Sequence, residues 1–349
     1  MAERATLSVR EAVGRALDDV EAGRLVLVAC SGGPDSLALA AAASFVGQRR
    51  GWRAGAVIVD HQLQAASAGV AAHAASVCAR LGLDPVTIRA VDVGTAGGPE
   101  AAAREARYAA LLEACSAAGA VACLLGHTRE DQAETVLLRL ARGSGARSLS
   151  AMSARTGLWR RPLLAVPRAV VHASARDVLT PLGEDPWTDP HNLEPRFARV
   201  RVRAAMDELQ QALGPGVVAG LARSATLLKD DADALDAMAD VEFARHVRDG
   251  AIEAGVLAEL PRAVRTRVLR RMCVDAGSPP GALTMEHVAT VDHLVTQWHG
   301  QGRTSLPGGV TVGRIRGWVT VVPQHVLSTS LAIPPDQGVP PDPGVGLAP

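Results

Sequence analysis

Short apolar runs alternate with helical patterns over the first 141 residues. The runs are 25–30 (LVLVAC), 54–60 (AGAVIVD), 85–91 (PVTIRAV) and 121–126 (VACLLG). Between them, 35–50, 65–82, 99–119 and 130–141 read as helices. Continuous apolar strands alternating with helices predict an α/β fold, a parallel sheet with helices on both faces. Ligands of such sheets bind beyond the carboxyl ends of the strands. From 142 to 203 the pattern breaks into Gly, Ser, Pro and Arg, with short helical pieces near 167–180 and a better helix over 195–212. Gly214-Pro215-Gly216 then marks a boundary, followed by helices over 217–249, 260–276 and 284–298 and by short strands within 303–323 that turn at Gly308-Gly309. The expected organisation is a first domain over 1–213, a smaller, mostly helical domain over 214–325 ending in strands, and a disordered Pro/Gly-rich tail over 326–349.

Composition narrows the class. Apolar residues make up 48% of the 349 positions and aromatics only 3%, so the core is built of Ala, Val and Leu. Net charge is zero, but 142–203 holds 11 Arg against 5 acids. Lys229 is the only lysine, so an isolated arginine carries little meaning and the cluster is the signal. Five cysteines (Cys30, Cys78, Cys115, Cys123, Cys273) lack any C-x-x-C pair and read as buried free thiols of a reducing compartment. Ten histidines form no ligand cluster. No signal-peptide run and no membrane-length apolar stretch occurs, so a cytoplasmic protein with no membrane partner is expected.

The first candidate site is Ser31-Gly32-Gly33-Pro34-Asp35-Ser36, between the first strand and a helix that is apolar on nearly every side. A glycine turn at a helix N-terminus presents backbone N–H groups to phosphate. Ser31 and Ser36 add hydroxyl donors, while Asp35 needs a cation between itself and a polyphosphate, which makes it the Mg²⁺ contact. The alternative is a plain turn with Asp35 as a first-turn charge. No G-x-x-x-x-G-K-[ST] occurs, which excludes the kinase-type loop. Asp60-His61 ends the second strand, where an acid reaches a ribose or adenine edge, unless it only caps the turn. Gly126-His127-Thr128 ends the fourth strand, and Asp131 and Glu134 follow three apart on one helix face. Two such carboxylates suit a metal ion or a substrate ammonium; equally, Thr128-x-x-Asp131 matches a capping box. Arg104 and Arg107 share a face with Glu100, beside the only tyrosine, Tyr108. In the basic stretch, Arg142, Arg160, Arg161, Arg199, Arg201 and Arg203 are candidates for a phosphate backbone.

Taken together, S-G-G-P-D-S, V-D-H, E-A-A-A-R-E-A-R-Y, the run 126–145 (GHTREDQAETVLLRLARGSG), R-R-P-L-L and D-P-H-N resemble the tRNA(Ile)-lysidine synthetase family over about residues 20–205. The resemblance implies an adenine-nucleotide α-hydrolase-type (PP-loop) fold and a ligase. Its ATP adenylates carbon 2 of the wobble cytidine of an isoleucine tRNA with a CAU anticodon, and free L-lysine then displaces AMP. On this resemblance Ser31, Gly32, Gly33, Pro34, Asp35, Ser36, Asp60 and His61 bind ATP, and Asp35 meets Mg²⁺. Asp35, Arg107, His127, Asp131 and Glu134 carry the chemistry, while Arg142, Arg161, Arg199 and Arg203 touch tRNA. A homodimer is left open. The chain departs from the family pattern at His191, where a serine is usual, and in Arg199-Val200-Arg201-Val202-Arg203, which lacks an asparagine. The rival classes are a tRNA 2-thiocytidine-type enzyme, opposed by the missing C-x-x-C, a small-molecule adenylating ligase, and a non-catalytic nucleotide-binding regulator.

Overall fold

The computed structural model describes residues 2–62, 66–94, 98–143, 145–187, 194 and 198–323, with Ala2, Pro99 and Glu100 described by backbone alone. Ser144, the Asp189-Pro190-His191-Asn192 motif and the expected tail over 326–349 lie outside the described residues. Two compact units divide the chain, Met1–Asp230 and Asp231–Pro349. Their division falls beyond Gly214-Pro215-Gly216, inside one continuous helix.

The first unit begins with α1 (Ala2–Ala16), an amphipathic helix that no expected element covers. Val9 and Val13, one turn apart, are fully buried on its inner face. The expected alternation follows: β1 (Leu25–Ala29), α2 (Pro34–Arg50), β2 (Arg53–Asp60), α3 (Ser67–Arg80), β3 (Val86–Ala90), α4 (Pro99–Ala118), β4 (Ala122–Leu124) and α5 (Arg129–Leu140). After it come α6 (Ala146–Leu149), β5 (Arg155–Thr156), β6 (Trp159–Arg160), α7 (Arg168–Leu179), α8 (Ala198–Leu213) and α9 (Val217–His246). The sheet order is β3-β2-β1-β4-β6-β5, parallel except for the β5–β6 pair. All five residues of β1 are buried, because the strand has neighbours on both edges and helices on both faces. One core, including Val26, Val28, Leu39 and Leu124, lies under α1, α2 and α7; a second, with Leu27, Leu111 and Leu125, lies under α4.

In the second unit, β7 (Ala251–Glu253), α10 (Ala254–Glu259), α11 (Arg262–Asp275), α12 (Met285–Thr296), β8 (Thr304–Leu306), β9 (Val310–Ile315) and β10 (Trp318–Pro323) follow in order. The last three strands and β7 form an antiparallel sheet, β7-β10-β9-β8. Gly308 and Gly309, both at positive φ, make the turn between β8 and β9. Inside this unit Arg265 and Asp292, both below 10% exposed, pair at 2.6 Å and tie α11 to α12.

The β1–β4 contact positions the site, so its packing is the part to test. Leu124→Ala, at a fully buried position opposite Val28, is expected to cost about 2–5 kcal/mol. Chemical denaturation of the variant reads this directly; a change near zero would show that the β4 core is loosely packed.

Candidate functional site

The phosphate loop is closed by its own last serine. Ser36 Oγ donates to the Gly33 carbonyl at 2.9 Å and accepts from the Ser31 N–H at 3.2 Å. That leaves Ser31, which is exposed, as the hydroxyl facing outward. Gly32 has φ +79°, and a Cβ there would also lie 3.1 Å from Ala74 Cβ, so only glycine fits without strain. The first-turn amides of α2 have no partner within the helix, which is the arrangement that binds anions. Trp187 N–H donates to the Gly32 carbonyl at 3.0 Å, laying a later loop against the turn.

Asp35 stands in the first turn of α2. His172 Nε2 lies 3.2 Å from its Oδ1, close enough to pair but out of line for a hydrogen bond, so both atoms are buried without a hydrogen-bond partner. Asp60, at the end of β2, accepts from the Gln62 N–H at 2.9 Å and is 7% exposed. It caps its turn and also lines the cavity. Burial, then the positive field of Arg107, holds His61 below the usual histidine value, against the pull of Asp60.

The turn after β4 is pressed onto the loop. A Cβ on Gly126 would sit 3.3 Å from the Asp35 carbonyl group, which is tighter than ordinary contact. His127 follows, and burial pushes it down to about 3; Asp131 opposes this, while Arg107, Arg161 and Arg199 reinforce it. The ring is therefore neutral at pH 7.

Asp131 caps its helix with one oxygen and pairs with arginine through the other. Its Oδ2 accepts from Thr128 N–H at 2.7 Å and Thr128 Oγ1 at 2.9 Å, capping α5. Its Oδ1 accepts from Arg168 Nη2 at 2.8 Å, with Arg203 Nη2 at 3.7 Å. Glu134 Oε1 accepts from Arg203 Nε at 2.8 Å and from Arg168 at 3.4 Å, while Oε2 is buried without a hydrogen-bond partner. Capping is worth about 1 kcal/mol, whereas burying a carboxylate costs several. The cap cannot account for the burial; the two arginines do. Burial raises the Asp131 carboxyl, but Arg168 and the hydrogen bonds from Thr128 outweigh it and leave it below its usual range.

Asp35, Asp60, His61, Arg107, His127 and Asp131 all line one cavity of about 570 Å³, together with the loop residues Ser31, Gly33, Pro34 and Ser36. That volume is typical of a nucleotide-sized site. Arg199 and Arg203 also line it. Glu134 adjoins it through Arg203. Arg142 is exposed and outside it. Arg161 is 8% exposed and donates to the Ser153 carbonyl and the Tyr108 hydroxyl, so it is turned inward rather than displayed on a surface. Arg155 and Arg160 pair with Asp19. The basic stretch is thus spent largely within the first unit and does not form one continuous surface stripe. Arg104 stacks on Tyr108 at 4.9 Å, as a surface helix pair would.

Arg168, His172 and Trp187 also line the cavity, although no motif contains them. Arg168 and His172 lie one turn apart on α7, a spacing that any amphipathic helix shares. Only the tertiary fold reveals them. Among the described residues no group of three or more His, Cys, Asp or Glu could hold a metal, and all five cysteines are free and buried. The donor set does suit Mg²⁺ in the manner of ATP enzymes, one carboxylate with phosphate oxygens completing the shell, because Asp35 offers a buried oxygen lacking a hydrogen-bond donor.

Residues 5–209 match the family model of the PP-loop domain, and 253–320 match that of the TilS substrate binding domain. The tRNA(Ile)-lysidine synthase of Thermobifida fusca (strain YX) is 58% identical over 316 residues, covering 90% of this chain and 96% of that protein. That of Streptomyces coelicolor is 52% identical over 303 residues, 85% of each. Among solved structures, the U34-tRNA thiolase NcsA from Methanococcus maripaludis, with its [4Fe-4S] cluster, superposes with a TM-score of 0.54 at 19% identity, over 65% of this chain and 79% of that one; this likeness concerns the fold.

The depressed His127 gives a test. A folded value near 3 against an ordinary 6.5 means that below about pH 6.5 the unfolded chain binds a proton that the folded chain refuses. Stability therefore falls as pH drops from 6.5 toward 3, and His127→Gln removes part of that slope. NMR titration of the His127 ring protons should show no midpoint between pH 5 and 8; a midpoint near 6.5 would refute the buried neutral state.

Proposed function

The chain belongs to the tRNA(Ile)-lysidine synthase family, and from that premise we propose that it uses ATP to join free lysine to carbon 2 of the wobble cytidine of an isoleucine tRNA with a CAU anticodon. One observation carries the reading: the phosphate loop and Asp131 line a single cavity, which Glu134 adjoins through Arg203, so an activated base and an attacking amine can be held together. In the first half-reaction the carbonyl oxygen at carbon 2 attacks the α-phosphorus of ATP, and the bond to the β-phosphate breaks, releasing pyrophosphate. In the second, the ε-amine of lysine attacks carbon 2, the C–O bond breaks, and that oxygen leaves on AMP.

Several of this chain's groups fit these steps. The amides at the start of α2 and Ser31 bind the β- and γ-phosphates. Mg²⁺, held by Asp35, would neutralise phosphate charge. Arg107 stabilises negative charge at the α-phosphate, because a guanidinium stays ionised when buried. His127, neutral at pH 7, contributes a hydrogen bond there and no charge. Glu134 Oε2 receives the lysine ammonium and, with Asp131, takes up its proton as the amine attacks. The cytidine must leave its stack, at a cost of a few kcal/mol, which contacts from Arg142, Arg199 and the second unit help offset. Arg203, bonded to Glu134, serves the amine side. No helix among the described residues is long and apolar enough to cross a membrane.

The 2-thiolation alternative needs sulfur-carrying or cluster-binding cysteines; here the five thiols are buried, four of them as the contacting pairs Cys30–Cys78 and Cys115–Cys123, and among the described residues no group of three or more ligands could hold a cluster. A turnover assay should release AMP and pyrophosphate in equal amounts; ADP as the product would overturn the reading. With labelled lysine, ATP and tRNA, Asp131→Asn and Glu134→Gln are each expected to lower incorporation about 100-fold or more, far beyond their effect on unfolding. Full activity in both variants would reduce the acid pair to helix capping.

A further inference from the structure

We propose that Arg168 is a positioning residue for the amine half of the reaction: anchored at the start of α7, it holds Asp131 and Glu134 in the orientation that receives lysine. The proposal rests on the functional reading above and extends it to a residue outside every motif of the chain.

Arg168 is fixed at both ends. Its backbone N–H donates to Glu130 Oε2 at 2.7 Å, and Arg129 N–H donates to the Val166 carbonyl at 3.1 Å, so the start of α5 and the approach to α7 are stitched together. At the other end the guanidinium spans both acids, with Nη2 2.8 Å from Asp131 Oδ1 and both terminal nitrogens 3.4 Å from Glu134 Oε1. A planar fork can bridge two carboxylates in this way; an ammonium, a compact point charge, cannot. By occupying Asp131 Oδ1 and Glu134 Oε1, Arg168 leaves Glu134 Oε2 as the unpaired buried acceptor. Arg203 contacts the same oxygens, but it reaches them from α8 and its side chain is more exposed, 34% against 23% for Arg168. The four charges sum to zero, so an incoming ammonium meets acids that are ionised and aimed but not in excess. The purely structural alternative is that Arg168 only docks α7 onto α5.

Kinetics of the full chain with ATP, labelled lysine and a tRNA(Ile) transcript bearing CAU separate the two roles. For Arg168→Ala, the KM for lysine is expected to rise about tenfold or more while the KM for ATP stays within about threefold. Arg168→Lys should recover little of the loss, and added guanidinium ion should restore lysine use in Arg168→Ala several-fold. If Arg168→Ala does not fold, Arg168→Gln, neutral and of similar reach, is read by the same measurements. Equal rises in both KM values, full recovery by Arg168→Lys, or no response to guanidinium would overturn the positioning role. A wild-type chain that incorporates no lysine would instead defeat the functional reading itself.

Discussion

Everything in the first unit depends on β1 having two parallel neighbours that follow it in the chain, β2 on one edge and β4 on the other. Where a sheet is wound outward in both directions from one strand, the turns leaving that strand and its neighbour diverge and open a crevice at their carboxyl ends. Val28 opposite Leu124 and Ala29 opposite Val57 set how far each strand projects. Their register brings Gly126 against the first turn of α2. The loop, the acid that follows it and the acid pair after β4 are held by the backbone of a buried sheet. Side chains on such a frame keep sub-ångström positions that surface loops do not.

The second theme is how charge is kept inside a site walled with Ala, Val and Leu. Asp131 is held below its usual range by Arg168 and by hydrogen bonds from Thr128, and Glu134 pairs with Arg203 at 2.8 Å. His127 takes the other course and gives up its charge. Asp35 is held by neither device: its buried oxygen faces His172 without a hydrogen bond, and it is the group with most to gain from a cation or a phosphate-bound ligand. Unequal satisfaction of these carboxylates separates the loop end of the cavity from the end at Asp131.

Much of this was legible in the chain. The strand–helix alternation, the loop and the i, i+3 acids are local signals, and each maps onto an element within a few residues of its expected bounds. The surroundings of Asp131 were only half legible: its spacing signals the cap that one oxygen makes, but not the distant arginine that engages the other. Arg161 shows the converse: a basic cluster in sequence says nothing about which guanidinium turns inward to a carbonyl, and this one does. Arg168, His172 and Trp187 were invisible because what brings them to the cavity is packing against segments far away in the chain. The helix α1 could have been read from the four-residue spacing of Val9 and Val13, since both sit on one helix face.

The capping of α5 by Asp131 has a temporal consequence. That bond closes over three residues, so one acid of the pair is oriented as soon as its helix forms on the emerging chain. The counter-ions come later in the chain: Arg168 lies 37 positions beyond Asp131, and Arg203 lies 69 beyond Glu134. During synthesis, which exposes N-terminal segments first, the acids exist for a time as a hydrated, uncompensated pair. Dehydration of the pocket must wait for α7 and then α8, so the surroundings of the acids are completed well after their own helix.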